Sequence, residues 1–369
     1  MIFIFLTAIT LLFLLFTWKK RNSTMPTVLL LVSYIIVFTF RSMNVSDTEA
    51  YALIFNNVYD VGIEKGFTFV CNVLRGFGVS FRQFLFVIAL FNITIWTLCT
   101  RKILQQNNLL MSLLFFMSYS GIYTYGIILR ASMAESIMLV AITYMFLHYN
   151  IVYSKNVSKQ YNVLKLFWKK LSFNIIILFT LLYLLTVLFH QTALIFFVIL
   201  IVYFVPLNSK IRYIISVFSL LVFLFPNVTT IIANYLLLFI SSNDLRFSGY
   251  LLEAGTLELG ITQIIWVISA FFYIHCTNYI LDENNRNKYI FILNIFIIGV
   301  FVTALLSFIT AGVRVGMMLT FYEYLLPALL INYIIDTRKR RIVFMWTLFF
   351  VIANCSKIFT SLTTLIHYL

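Results

Sequence analysis

The stretch YLLTVLFHQTALI, Tyr183 to Ile195, decides how this chain folds. It sets the polar triplet His190, Gln191, Thr192 inside a run that holds no Asp, Glu, Lys or Arg from Ser172 to Val205. At ~1.5 Å per residue a straight helix of that length would reach roughly 50 Å, well beyond a hydrocarbon core of ~30 Å. The run therefore has to fold back on itself. The triplet is the natural turn, which puts His190 at a membrane surface at the head of a helical hairpin. Taken alone, such a histidine reads as an interfacial residue that only marks the turn.

Outward from the hairpin the same composition continues. Of 369 residues, 62% are hydrophobic and 10% charged, and apolar runs recur from one end to the other. The fold class is therefore all-α, a polytopic membrane protein with about twelve transmembrane helices. Soluble classes are excluded, nucleic-acid binders among them, because the formal charge of +14 is confined to short loops between apolar spans and reports topology. Met1 to Trp18 reads as a first span, since it has neither a basic n-region nor a small-residue cleavage site. Residues 1–369 form one integral membrane domain in this reading, with outer segments at 41–82 and 233–260 of amphipathic or re-entrant character. The last span, about Ile342 to Ala353, leaves a short outer tail. The four cysteines have no metal-type spacing and read as packing residues.

Counting basic residues fixes the orientation. With the N-terminus outside, inner loops hold 18 of the 26 lysines and arginines. The outer remainder is six arginines, Arg41, Arg75, Arg82, Arg130, Arg246 and Arg314, with only Lys65 and Lys357. Arginine presents a planar, permanently charged fork that binds phosphate or carboxylate oxygens through paired hydrogen bonds. An outward cluster of them, against the positive-inside tendency, points to an anionic ligand. The bland alternative is pairing with outer acids such as Asp47, Glu49, Asp60 and Glu64.

Arg130 (GIILRASMAES) and Arg314 (ITAGVRVGMM) are the leading candidates, since each sits at the mouth of apolar spans where an unpaired charge is costly. Glu135, a little over one turn past Arg130, offers a local partner, and Glu323 stands within a span beside Tyr322. His148, His275 and His367 read as structural. No Walker loop, GxSxG, HExxH or helix-opening GxGxxG occurs. A reaction on the outer face would have no ATP and would need a substrate that arrives activated. A lipid-linked sugar diphosphate meets that need.

In chain order, DTEAYALIFNNVYDVGIEKGF (Asp47 to Phe67), LRASMA around Arg130, FHQTALI around His190 and RVGMMLTFYEYLLP (Arg314 to Pro327) resemble the EpsG-like branch of the Wzy polysaccharide polymerases. That resemblance implies a bacterial inner-membrane enzyme of O-antigen or capsule biosynthesis, similar to the metal-independent class C (GT-C) glycosyltransferases, with its active site facing the periplasm. It implies transfer of a growing glycan from undecaprenyl diphosphate onto another lipid-linked repeat unit, no cofactor, and a chain-length regulator of the Wzz type as a partner. Arg130 and Arg314 would hold the diphosphate, with Arg246, Arg41 and Tyr322 as further substrate-binding candidates. His190 would act at the reaction centre as base. Equally, His190 would hold the diphosphate and Asp47, Glu49 or Glu64 would be the base. The competing functions are an O-antigen ligase, which shares the donor, a flippase of lipid-linked oligosaccharide, for which internal repeats are expected, and a membrane acyltransferase.

Overall fold

Apolar runs free of proline and glycine have nowhere to satisfy their backbone polar groups inside a bilayer except in their own helical hydrogen bonds. The computed structural model describes residues 24–43, 47–57, 64–105, 108–118, 128–149, 173–225, 261–307 and 310–366, and every regular element among them is helical. In order these are α1 (Thr24–Thr39), α2 (Thr48–Phe55), α3 (Lys65–Gly76), α4 (Phe81–Ile103), α5 (Leu109–Ser118), α6 (Leu129–Leu147), α7 (Phe173–Phe189), α8 (Phe197–Phe204), α9 (Ser209–Leu224), α10 (Ile261–Cys276), α11 (Glu283–Leu305), α12 (Thr310–Thr320), α13 (Leu325–Tyr333) and α14 (Thr337–Ile366). Short 3-10 turns precede α8 at Gln191–Phe196 and α13 at Phe321–Tyr324. The first apolar run, the lysine-rich loop at 150–172 and the outer segment at 233–260 lie outside the described residues.

Four stretches among the described residues are long and apolar enough to cross a membrane: Phe81–Ile103, Leu129–Leu147, Glu283–Leu305 and Gly312–Tyr333. Shorter apolar helices accompany them at Thr24–Thr39, Leu109–Ser118, Phe173–Phe189 and Gln191–Phe204. On α7, Leu181, Leu184 and Leu188 are 61%, 55% and 50% exposed, which suits hydrocarbon as the solvent and not water.

At the polar triplet the straight helix is interrupted. The Tyr183 hydroxyl donates to the carbonyl of Leu194, 3.3 Å away and eleven residues on. An unbroken helix would separate those residues by roughly 16 Å along its axis. The end of the chain differs from the expected short span and tail, because α14 takes the basic run Arg338 to Arg341 into its first turns and continues to Ile366. Asp336 accepts the Arg338 amide at 2.8 Å to start it, and no proline or glycine follows to stop it.

The chain forms two compact units. The first comprises the described residues of Met1–His148, Leu171–Leu194 and Pro327–Leu369. Within it α4 packs against α1 and α6, α6 against α7, α3 against both α2 and α7, and α5 against α14. A buried polar relay joins α4 to α6: the Asn92 amide donates to Ser132 Oγ at 2.7 Å, and Ser136 Oγ donates to Asn92 Oδ1 at 3.0 Å. Interhelical bonds of this kind fix rotation as well as separation, and here they orient the helix that begins with Arg130.

The second unit holds the described residues of Tyr149–Lys170 and Ile195–Leu326 and is built around α11, which packs on α8, α9, α10 and α12. Glycine sets the α11–α12 spacing. A Cβ on Gly316 would lie 2.0 Å from Thr303 Oγ1 and 2.6 Å from the Thr303 backbone nitrogen. Because α12 carries Arg314, Gly316→Ala is expected to displace that arginine as it overpacks the pair, at a cost of about 1–3 kcal/mol. A lower unfolding temperature of the purified protein in detergent checks this. An unchanged temperature would mean that the helices separate freely.

Candidate functional site

Glu64 precedes the first residue of α3 with extended backbone (φ −63°, ψ 132°), and its side chain makes no bond to its own helix. It reaches to the end of α7. His190 Nδ1 lies 3.2 Å from Glu64 Oε1, and the Gln191 backbone N–H donates to the same oxygen at 3.3 Å. The second oxygen, Oε2, forms an ion pair with Arg130 Nη1. Arg130 is the second residue of α6, where the helix dipole is already positive, so a cation there calls for a counter-charge. The Arg130 guanidinium also donates to the Tyr51 hydroxyl. The Tyr51 ring is buried against Phe67, 5.6 Å between centroids. Three helix ends thus meet at one carboxylate, and α2 joins them through the contact of Tyr51 with Arg130.

Burial alone would push the Glu64 carboxyl up. The hydrogen bond from His190 and the charge of Arg130 outweigh it and hold the group at about 2, against an ordinary 4.5. An ionised carboxylate can only accept, so the hydrogen in the Glu64–His190 bond belongs to Nδ1. In the neutral imidazole the lone pair is then on Nε2. The His190 and Arg130 side chains keep 14% and 28% of their exposure, so the ring edge and the guanidinium can be reached.

Linkage gives this arrangement a pH signature. The carboxyl sits lower in the folded protein than in the unfolded chain, so its contribution is complete above about pH 4.5 and disappears as pH falls toward about 2. Glu64→Gln is expected to lower stability in detergent by up to roughly 3 kcal/mol at neutral pH. The gap should close on acidification between those two values. A gap that stays constant down to pH 3 would mean that Glu64 is not the titrating partner.

The other expected residues distribute as follows. Arg41 is 3% exposed and lies within electrostatic reach of Tyr51, Tyr34 and Asp47; burial lowers its guanidinium to about 10 and those three groups work against the shift. Asp47 sits at the start of α2 in a left-handed conformation (φ 64°), on the Arg41 and Tyr51 side, and Glu49 is exposed. Arg314 and Tyr322 belong to the second unit, and Arg246 lies outside the described residues. Tyr322 is fully buried, its ring packed on Phe321 and Phe196.

The local pairing of Arg130 with Glu135 does not occur. Five residues along a helix is 500°, which turns Glu135 about 140° away from Arg130, and it is buried within electrostatic reach of Tyr34. Glu323 is likewise buried, beside Tyr273 and Ser269 of α10.

A family model described as the EpsG family matches residues 24–368, nearly the whole chain. The chain belongs to the EpsG family. That makes it a polysaccharide-polymerase-like membrane protein, with glycosyltransferase-like activity at that coarse level. No curated protein and no solved structure matches it.

For this EpsG-family chain the arginines expected on the outer side now separate by what they touch. Arg75 donates to the Phe55 carbonyl at 3.2 Å and to Asn72 at 2.8 Å, and Arg82 stands 5.6 Å over the Phe40 ring. These two are structural. Arg130 and Arg314 each keep a buried Nε that has no hydrogen-bond partner among the described residues. A buried guanidinium N–H without a partner is uncommon and fits an anion that arrives with the substrate. Sequence reading missed Tyr51 and the Gln191 amide. Tyr51 stands four residues after Asp47 in a motif read for its acids, and a backbone donor leaves no mark in a sequence.

Proposed function

We propose that this EpsG-family protein joins oligosaccharide repeat units carried on undecaprenyl diphosphate into O-antigen or capsule chains, with His190 as general base. The observation that carries this reading is the contact of His190 Nδ1 with an ionised Glu64 carboxylate that Arg130 also holds. A carboxylate on one ring nitrogen fixes the tautomer and the ring plane and stabilises the imidazolium that forms when the other nitrogen takes a proton. Glu64, held at about 2, is itself a weak base. In this reading it serves as the orienting partner and His190 as the base.

In the proposed step an acceptor sugar hydroxyl attacks the anomeric carbon of the donor. Its proton passes to His190 Nε2 as the new C–O bond forms. The bond from the anomeric carbon to the diphosphate oxygen breaks, and undecaprenyl diphosphate leaves with the electron pair. Arg314 is assigned to the charge that grows on that leaving group, because its buried Nε has no partner among the described residues and a guanidinium fork matches diphosphate oxygens. Arg130, already engaged by Glu64 and Tyr51, orients the base pair and keeps further N–H groups for an anionic ligand.

The orientation with inner loops basic, about twelve spans, and a likeness to class C glycosyltransferases with the site facing the periplasm of an inner membrane complete the reading. Surface glycan from a strain lacking the gene tests it. Single repeat units attached to their normal acceptor, restored to ladders by the intact gene, support a polymerase. Unattached long polymer would indicate a ligase, and lipid-linked units trapped on the cytoplasmic side a flippase.

A further inference from the structure

We infer that Gly66 is a positioning residue, which sets the separation between α3 and the end of α7 at which Glu64 meets His190. This rests on the reading of His190 as the base.

Gly66 lies two residues after Glu64, and Leu188 lies two residues before His190. A Cβ on Gly66 would stand 2.7 Å from the Leu188 carbonyl oxygen, 2.9 Å from its carbonyl carbon and 3.1 Å from its Cβ. The first two are backbone atoms of α7, so no side chain can swing aside, and one helix has to move. Helix α3 has little freedom to absorb the movement. On its inner face Phe67 is 0% and Cys71 1% exposed, and the Phe67 ring is packed against Tyr51 and Phe84. The displacement is therefore passed along two residues to the Glu64–His190 contact. At 3.2 Å that contact already lies at the long end of a hydrogen bond.

Gly76, the last residue of the same helix, provides the control. A Cβ there meets nothing within 4 Å. Alanine is favoured over glycine in a helix, so both substitutions carry a similar local preference and differ in what the new methyl touches.

The experiment uses the full chain in lipid nanodiscs with His148, His275 and His367 replaced by glutamine, so that nitrogen-15 NMR of histidine reports His190 alone, together with a polymerisation assay. With native Gly66 the hydrogen should be on Nδ1. Gly66→Ala is expected to lose that fixed tautomer and to lower kcat by roughly ten- to a hundredfold with KM for the lipid-linked donor little changed. Gly76→Ala should match the parent in both. Glu64→Asp withdraws the carboxylate by one carbon without touching the α3–α7 contact, and it should reproduce the tautomer change.

An unchanged tautomer and full kcat in Gly66→Ala overturn the positioning role. If Gly66→Ala does not fold, an unchanged tautomer in Glu64→Asp overturns it instead, because the contact would then tolerate a shift of that size. Loss of the tautomer with full kcat would support the distance-setting role of Gly66 and overturn the reading of His190 as base.

Discussion

Replacing Glu64 with alanine is expected to lower polymerising turnover by at least about a hundredfold, the range seen when a general base loses its activity or its orientation. The protein should still insert, because Glu64 lies outside the apolar spans. The loss has two physical sources. His190 is released from the tautomer that presents Nε2, and Arg130, nearly three-quarters buried at the positive end of α6, loses the carboxylate that balances it. Glu64 and His190 act on one proton, so their effects should not add. His190→Ala and the double variant are expected to fall to a similar residual rate. If the double variant is slower than either single variant by the product of their separate effects, the two residues work independently and the dyad is wrong.

Arg314→Lys is expected to be nearly as damaging as Arg314→Ala, with a loss of about 10²–10³ in turnover, similar to removal of one donor from a site that stabilises developing oxygen charge. Lysine keeps the charge but loses the planar fork and the Nε donor that has no partner among the described residues. The matched measurement is the glycan ladder together with membrane abundance of each variant. Ladders of normal length from Arg314→Lys would remove the bidentate clamp from the mechanism. Arg82→Lys and Arg75→Lys, whose partners are a ring and a carbonyl, should leave the ladder close to normal.

The contrast among these arginines shows what the sequence reveals and what it hides. Hydropathy is a local property, so the break at His190 and the apolar spans around Arg130 and Arg314 could be read directly from neighbouring residues. The composition of the outer charges, rich in arginine and poor in lysine, singled out the residue type. It could not say which arginines are taken by structure. Arg75 and Arg82 look the same as Arg130 in a sequence, and they separate only when the Phe55 carbonyl and the Phe40 ring come into place.

Pairing across the chain was the larger gap. Glu64 is a candidate base on the sequence alone, yet its partners stand 66 and 126 residues away. Nothing local announces that one carboxylate will hold both. Proximity along the chain favoured Glu135 for Arg130, and helical geometry turned it to another face. The end of the protein carried the opposite lesson: a run of basic residues read as a loop is the opening of a long helix, since charge alone does not break one and the sequence beyond it has no glycine or proline.

The most direct test of the central claim is reconstitution. The purified protein in lipid vesicles would be given undecaprenyl-diphosphate-linked repeat units, and both chain length and released undecaprenyl diphosphate would be followed for the native chain and for His190→Ala. The expected result is a ladder with one undecaprenyl diphosphate released per bond formed by the native chain, and neither product from the variant. Units carried across the bilayer with no new glycosidic bond, or a ladder undiminished in His190→Ala, would contradict it.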